Sequence, residues 1–381
     1  MSTLWIIVTI VVLWILMRSV ARHFTPPPTY REGGAARGGD EEPMRRKRLR
    51  ASAAHDAARL AAQGLPSIRD RAELAGLMGL RRGVLDWLAY ADADPEPRHY
   101  VAFTVAKRSG GYRVLYAPKL RLKHAQRCIL GNILSKVPTP PAAHGFVPGR
   151  SIHTNAEPHA RHDIVITLDL EHFFPSITYR RVRGIFQAIG YGEEVAIALA
   201  MLCTVKPSVE AQRHLGGIRH RMLPQGAPTS PALANLACRR LDARLAGLAR
   251  KFGCNYTRYA DDLTFSGDEA FEKSLKRFLP LLRRIIHGEG FFLNKRKIHF
   301  ARRGARQQVT GLVVNDGPSV SRRYRRELRA ILHNARKTSL DAQNRSAHPH
   351  FRESLHGRIE FVRSTHPDLA AKLLAELNAI A

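Results

Sequence analysis

The chain has 381 residues, 44% of them apolar, enough for a sizeable packed core and two or three domains. Lys and Arg outnumber Asp and Glu 61 to 32, a formal net charge of +29 that is spread along the whole chain, so the body itself suits a polyanion, nucleic acid ahead of an anionic membrane surface. Cys128, Cys203, Cys238 and Cys254 are far apart with no CxxC pairing, which excludes a disulfide framework or a zinc knuckle.

In chain order, the N-terminus carries an apolar run from Leu4 to Met17 broken only by Thr9. The run is shorter than the roughly 20 residues of a usual spanning helix, but Met1 to Val20 can cross a thinned bilayer. No Lys or Arg precedes it, whereas Arg18, Arg22 and the RRKRLR run at 45–50 follow. That asymmetry predicts a single-pass inner-membrane anchor over residues 1–22, with the remainder cytoplasmic. A true start at Met44 is the competing reading. Residues 23–62, rich in Pro, Gly and charge before they run into a helix, read as a tether.

Residues 63–94 predict a helical hairpin. Leu74, Leu77 and Leu80, then Leu85 and Leu88, recur at helical spacing around a glycine-containing break, as a packed pair in preference to a DNA-reading helix-turn-helix. Past Asp94 strands and helices alternate. HYVAFTVAK and YRVLYAP flank RSGG as a hairpin, LRLKHAQRCILGNILSKV is a helix ended by Pro138, and HDIVITLDL is a buried strand. FEKSLKRFLPLLRRIIHGEG is an amphipathic helix, QQVTGLVVN a strand with a glycine, and the remainder from Val320 an Arg-rich helix. The class is mixed α/β (α+β).

Two places sink acids into an apolar context. Asp169 ends a run of Val, Ile and Leu, and Asp261 and Asp262 sit together in YTRYADDLTFSG, whose flanks favour a half-buried strand. Buried carboxylates need a cation or a metal, and no basic residue falls at alternate positions beside the pair. Hard divalent cations such as Mg²⁺ take oxygen ligands of this kind. Three aspartates on two neighbouring strands can hold two ions about 4 Å apart, the arrangement for in-line phosphoryl transfer.

These stretches resemble three motifs of reverse transcriptases in the family's order: LDLEHFFPSI the first catalytic motif, LPQGAPTSPALANLACRRLD (Leu223 to Asp242) the motif joining palm to template, and YADD the catalytic strand signature. NAEPH (Asn155 to His159) and VTG (Val309 to Gly311) resemble the two hallmarks of the retron type. HGFVPGRSIHTNA and GFFLNKRK also sit where retron-type enzymes carry their equivalents. The resemblance runs from about Leu65 to the C-terminus and leaves residues 1–50 unexplained.

The resemblance implies a right-hand polymerase, with fingers and palm over 95–315 and a short, basic helical thumb over 316–381, preceded by the N-terminal hydrophobic helix. It implies RNA-directed DNA synthesis from dNTPs with two Mg²⁺ ions, Mn²⁺ being the substitute. Asp169, Asp261 and Asp262 are the implied metal ligands and catalytic residues, with the backbone carbonyl of Leu170 as a further ligand. Phe174 is the implied screen of the sugar 2′ position. Lys107 and Arg113 would clamp the triphosphate, Gln225 and Gly226 would contact the nascent base pair, and Lys297 would donate a proton to pyrophosphate or merely contact phosphate.

Asn155, His159 and Val309, Thr310, Gly311 are expected to engage structured RNA, although a satisfied structural histidine is an equal reading of His159. Arg322, Arg323, Arg325 and Arg326 would hold an RNA–DNA duplex by its shape and backbone. The retron type further implies a dedicated non-coding RNA as template and primer, a branched RNA–DNA product, a role in anti-phage defence and a separate effector protein as an open partner. The alternatives are a group II intron-like reverse transcriptase, a nucleic-acid-binding scaffold whose polymerase site is unused, and the restraint of a membrane toxin.

Overall fold

The computed structural model describes residues 54–91, 98–107, 110–345 and 347–380. Three short helices come first, α1 (Ala57–Ala62), α2 (Arg71–Leu77) and α3 (Arg82–Tyr90), then the hairpin β1 (Tyr100–Ala106) and β2 (Tyr112–Pro118) and helix α4 (Leu120–Asn132). α5 (Ile152–Ala156) leads to β3 (Ile164–Glu171), followed by α6 (Phe173–Ser176), α7 (Tyr179–Ile189), α8 (Glu193–Cys203) and α9 (Val209–His214). α10 (Ser230–Ala237) and α11 (Arg239–Lys251) precede β4 (Asn255–Tyr259), β5 (Asp262–Gly267) and the long α12 (Glu269–Gly288). Short strands β6 (Phe292–Leu293), β7 (His299–Arg302), β8 (Gln308–Val309) and β9 (Leu312–Val313) come next. The C-terminal helices are α13 (Arg322–Lys337), α14 (Leu340–Gln343), α15 (Phe351–Arg363) and α16 (Pro367–Asn378).

β3 is the middle of a five-stranded sheet. β5 pairs antiparallel along one edge and β4 lies beyond it, while the other edge is shared by β7 along Ile164–Thr167 and β6 along Leu170–Glu171. Alternation along β3 and β5 gives the sheet two unlike faces. Ile164, Ile166, Leu168 and Leu170, with Leu263 and Phe265, enter the main core beneath α11 and α12. Thr167, Asp169, Asp262, Thr264 and Ser266 line the opposite face, as the same alternation requires. α8 runs through this core with apolar residues on all sides, which is why its sequence lacks a polar stripe.

A second core gathers Val309, Leu312, Val314, Leu328, Leu332, Leu355, Ile359 and Leu373, joined by Ala156 and Val165 from the sheet side. The expected single strand in QQVTGLVVN is instead a tight hairpin, because Thr310 and Gly311 take φ of 45° and 88° and reverse the chain. The Arg-rich remainder is four helices, not one. Residues Met78–Arg81 separate α2 from α3, and Leu74, Leu85 and Leu88 all face the main core.

Among the described residues no helix is long and apolar enough to cross a membrane. The expected anchor over 1–22 and most of the tether lie outside the described residues.

Candidate active site

YADD is not one strand. β4 stops at Tyr259 and β5 starts at Asp262, so Ala260 and Asp261 form the turn of a hairpin. Ala260 has φ of 56°, a left-handed conformation that an alanine holds only when its surroundings dictate it. Two contacts do so. Arg258 donates from Nη1 to the Ala260 carbonyl at 3.1 Å, and Gly145 packs so closely that a Cβ there would lie 2.7 Å from the Ala260 nitrogen.

The turn brings the carboxylates together. Asp169 pairs with Asp262 across the strands, and the Leu170 N–H donates to the Asp261 carbonyl at 3.0 Å. Leu170 has a buried side chain, so only its backbone can serve the site. Lys297, on the turn after β6, bonds Asp169 Oδ1 at 2.7 Å. The Asn294 N–H fixes the start of that turn on the Asp169 carbonyl at 2.9 Å.

Burial first, and then the charge of Asp169, raises the Asp261 carboxyl above the ordinary carboxylate range, with Lys297 and Arg113 opposing. Asp262 shows surface to solvent but is ringed by protein, and that enclosure together with the Asp261 and Asp169 charges pushes it up to about 7. Lys107 is driven down by desolvation and by Arg113 and Lys297, while Asp169 and Glu171 oppose the shift. Both hairpin cations are thus within electrostatic reach of the acids, Arg113 standing opposite Val105 in the β1–β2 register.

An oxygen-only donor set strained by its own charge is the chemistry a hard divalent cation satisfies. Among the described residues no three Asp, Glu, His or Cys side chains already converge as a metal cage. Mg²⁺ ordinarily takes one or two carboxylates and completes its shell from substrate phosphates, so these residues fit such an ion.

The other candidates divide. Phe173 is core, stacked on Phe291 at 5.8 Å, whereas Phe174 is half-buried with its ring 6.4 Å from that of the exposed Phe146. The Gln225 carbonyl accepts from the Tyr116 N–H at 2.8 Å, tying the LPQG loop to the β1–β2 hairpin. Gly226, with φ of 113°, sits where a Cβ would lie 3.0 Å from the Tyr116 carbonyl oxygen, so that join requires glycine.

Asn155, His159 and Val309 need correction as RNA contacts, since all three are fully buried. His159 spans β5 and β4 through Ser266 Oγ and Thr257 Oγ1, both at 2.7 Å, and Val309 belongs to the second core. His159 thus ties the two strands, Val309 packs beneath the C-terminal helices, and Asn155 meets the sheet through its backbone carbonyl, which accepts from Thr257 Oγ1 at 3.4 Å. Thr310 and Gly311 reach the surface at the hairpin tip. Arg322, Arg323 and Arg326 are exposed on α13, while Arg325 is half-buried.

His159 makes a testable contribution to stability. Burial pushes its imidazole down to about 3, so the unfolded chain binds the proton first. The stabilisation is complete above about pH 6.5 and declines as pH falls toward 3, by about 2 kcal/mol at pH 5. Replacement His159→Gln is expected to flatten that part of the pH–stability curve, measured by urea unfolding. An unchanged slope between pH 6.5 and 5 would remove the assignment.

The group beneath the turn draws Asn235 and Asp242 from the Leu223–Asp242 stretch and Arg258 from just before YADD, but neither stretch marks them as partners. Arg258 and Asp242 are almost wholly buried and form a bidentate pair at 2.8 and 2.7 Å. Asn235 Oδ1 accepts from Arg258 at 3.0 Å, its amide donates to the Gly145 carbonyl at 2.9 Å, and the Tyr256 hydroxyl donates to Asp242 at 2.8 Å. A subtler signal was present: a lone Arg in an apolar strand and a lone Asp among the leucines of α11 each require a partner.

Residues 105–329 match the family described as reverse transcriptase (RNA-dependent DNA polymerase). The chain is 46% identical over 327 residues to the retron Mx65 reverse transcriptase of Myxococcus xanthus, covering 84% of this chain and 73% of that protein. It is 40% identical over 345 residues to the retron Mx162 reverse transcriptase of the same organism, covering 86% and 70%. It is 37% identical over 237 residues to the retron Ec86 reverse transcriptase of Escherichia coli, covering 61% and 69%. The span matched to the family includes β3, the LPQG loop, the YADD turn and Lys297, so the carboxylate site lies within the shared enzyme unit. The chain belongs to the retron reverse transcriptases and is the RNA-directed DNA polymerase of a retron.

Proposed function

We propose that the chain copies a dedicated, structured non-coding RNA into a branched RNA–DNA product by phosphoryl transfer at Asp169, Asp261 and Asp262. The observation that carries this reading is the cross-strand pairing of Asp169 with Asp262, with Asp261 in the adjoining turn. Two Mg²⁺ ions, or Mn²⁺ in their place, would supply activation of the attacking hydroxyl and charge neutralisation at the leaving pyrophosphate. The three aspartates and the Leu170 carbonyl would hold them.

The protein's own groups do the rest. Lys107 and Arg113 reach the triphosphate from the hairpin, Arg through its bidentate fork. Lys297 exchanges its bond to Asp169 for a phosphate oxygen and serves there as contact or proton donor. Gln225 and Gly226 support the nascent base pair, and Phe174 crowds a ribose 2′-hydroxyl and so favours dNTPs. Thr310, Gly311, Arg322, Arg323 and Arg326 meet the RNA and the RNA–DNA duplex. A role in anti-phage defence alongside a separate effector protein follows the retron reading of NAEPH and VTG.

The test is the product. The chain is expressed with the DNA flanking its gene, and the nucleic acid purified with it is digested with ribonuclease. DNA that retains a covalently attached ribonucleotide is the expected result. DNA wholly free of RNA, or no DNA at all, would overturn the branched-product reading.

A further inference from the structure

The helix layer behind the central sheet carries a charge pattern that the carboxylate site does not use. α11 and α12 run in opposite directions across the apolar face. Glu289 at the end of α12 pairs with Arg240 and Arg244 in the first half of α11. Phe252 at the end of α11 meets Phe278 in mid-α12 at 5.4 Å. Phe278 in turn packs on Phe265 of β5 at 5.2 Å, on the side away from Asp169 and Asp262. The outer surfaces of these helices therefore face away from the carboxylates.

That outer surface is a ridge of cations. On α12 the buried positions Phe271, Phe278, Leu282 and Ile286 define one side, and Lys276, Arg277, Arg283 and Arg284 occupy the other. The two pairs stand two turns apart, about 10 Å along the axis. Arg250 and Lys251 of α11 are exposed as well. Among the described residues none of these six is in an ion pair, whereas Lys273 is paired with Glu269 and Arg302 with Glu272. The one acid within α11, Asp242, is consumed by Arg258.

Uncompensated like charges along one helix destabilise it, and an external polyanion removes that penalty. The type of polyanion follows from what the ridge lacks. Neither helix exposes a Phe, Tyr, Trp or large aliphatic side chain, and the exposed Phe292 past the end of α12 is set edge to face against His287 at 5.3 Å. A single strand would want rings for stacking, and a membrane surface would want apolar groups to insert. A double-helical RNA stem, read through phosphates and shape, needs only the cations.

The geometry points to a second RNA site on α11 and α12, which grips a duplex stem of the chain's own structured RNA while another part of that RNA is copied at the carboxylates. This site rests on the structured-RNA reading above. Its test is independent of DNA synthesis. The full chain is first saturated with an RNA–DNA primer–template hybrid, and a labelled RNA duplex of about 16 bp, long enough to span two minor grooves, is then titrated by anisotropy. A ternary complex is expected.

Charge reversal of Lys276, Arg277, Arg283 and Arg284 to Glu is expected to weaken duplex binding more than tenfold. The salt slope should become shallower by roughly 3 to 4, near 0.9 for each phosphate no longer neutralised. Gln at the same positions should give an intermediate loss, and primer extension on a short template should stay at the wild-type rate. Competition of the duplex with the hybrid, or unchanged binding by the reversed variant, would overturn the site. Loss of binding to phosphatidylserine vesicles without loss of duplex binding would assign the ridge to a membrane and also overturn it. Absence of primer extension in the wild type would count against the polymerase reading alone.

Discussion

Asp262→Asn is expected to lower RNA-templated DNA synthesis more than about 100-fold and, in metal-free buffer at pH 8, to raise the melting temperature. The two effects have one cause. Asp169, Asp261 and Asp262 crowd one end of a strand pair, and only a cation relieves their repulsion. Losing even an outer partner of a metal ligand costs roughly 10–100-fold, so losing a ligand should cost more. The sign of the stability effect follows from the Asp262 carboxyl, which is pushed up to about 7 in the fold. As pH rises from the ordinary carboxylate value of 3.8 toward 7, the unfolded chain has released its proton and the folded chain has not, so stability is lost over that window. At pH 8 the fold carries the full repulsion, which Asn removes. Below about pH 4 wild type and variant should melt together. Activity is read by primer extension with Mg²⁺ and stability by thermal melts across pH. A variant that polymerises normally would remove Asp262 from the metal site, and one that melts lower at pH 8 would show that the carboxylate is structural.

Arg258→Met should be the most damaging single change away from the carboxylates, at about 3–5 kcal/mol of stability, because it strands a buried Asp242 charge. Pairing it with Asp242→Leu removes the stranded charge and should restore most of that loss. The Tyr256 hydroxyl then lacks its acceptor, which leaves a deficit of about 1–3 kcal/mol. Activity should not return with stability. The Ala260 carbonyl still lacks its donor, and the left-handed turn that carries Asp261 is free to relax. Urea unfolding and primer extension on both variants separate the two effects. A stable double variant with wild-type activity would make the Arg258 pair a packing element and nothing more.

The candidate carboxylates were legible in the sequence because each lies in or beside an apolar stretch that favours a buried strand. The end of VITLDL and the flanks of YADD place Asp169 and Asp262 on apolar segments, and the LPQG and VTG signatures pointed to the family. Composition also gave β3 and the β1–β2 hairpin closely, since a run of β-branched and aromatic residues, or two such runs around a glycine turn, is a local signal. What it missed was non-local. YADD reads as one strand because the break at Ala260 is dictated from outside, by Arg258 beneath it and Gly145 against it. VTG reads as a strand because a two-residue reversal leaves the apolar pattern intact on both sides. Asn155 reads as surface recognition, and His159 equally as that or as a structural histidine, because polar residues in a short motif look exposed until the sheet closes over them.

By itself the sequence singled out Asp169, Asp261 and Asp262 as candidate carboxylates in want of a cation, and its charge pointed to a polyanionic partner. Those facts follow from side-chain chemistry and from short-range pattern. Only the tertiary structure decided which polar residues reach the surface and which are buried within the sheet, because burial depends on what the chain brings from far away in sequence. It also set Lys297 beside the carboxylates on one side of the sheet and Lys276, Arg277, Arg283 and Arg284 on the helix layer behind the other, a separation that a net charge of +29 cannot express.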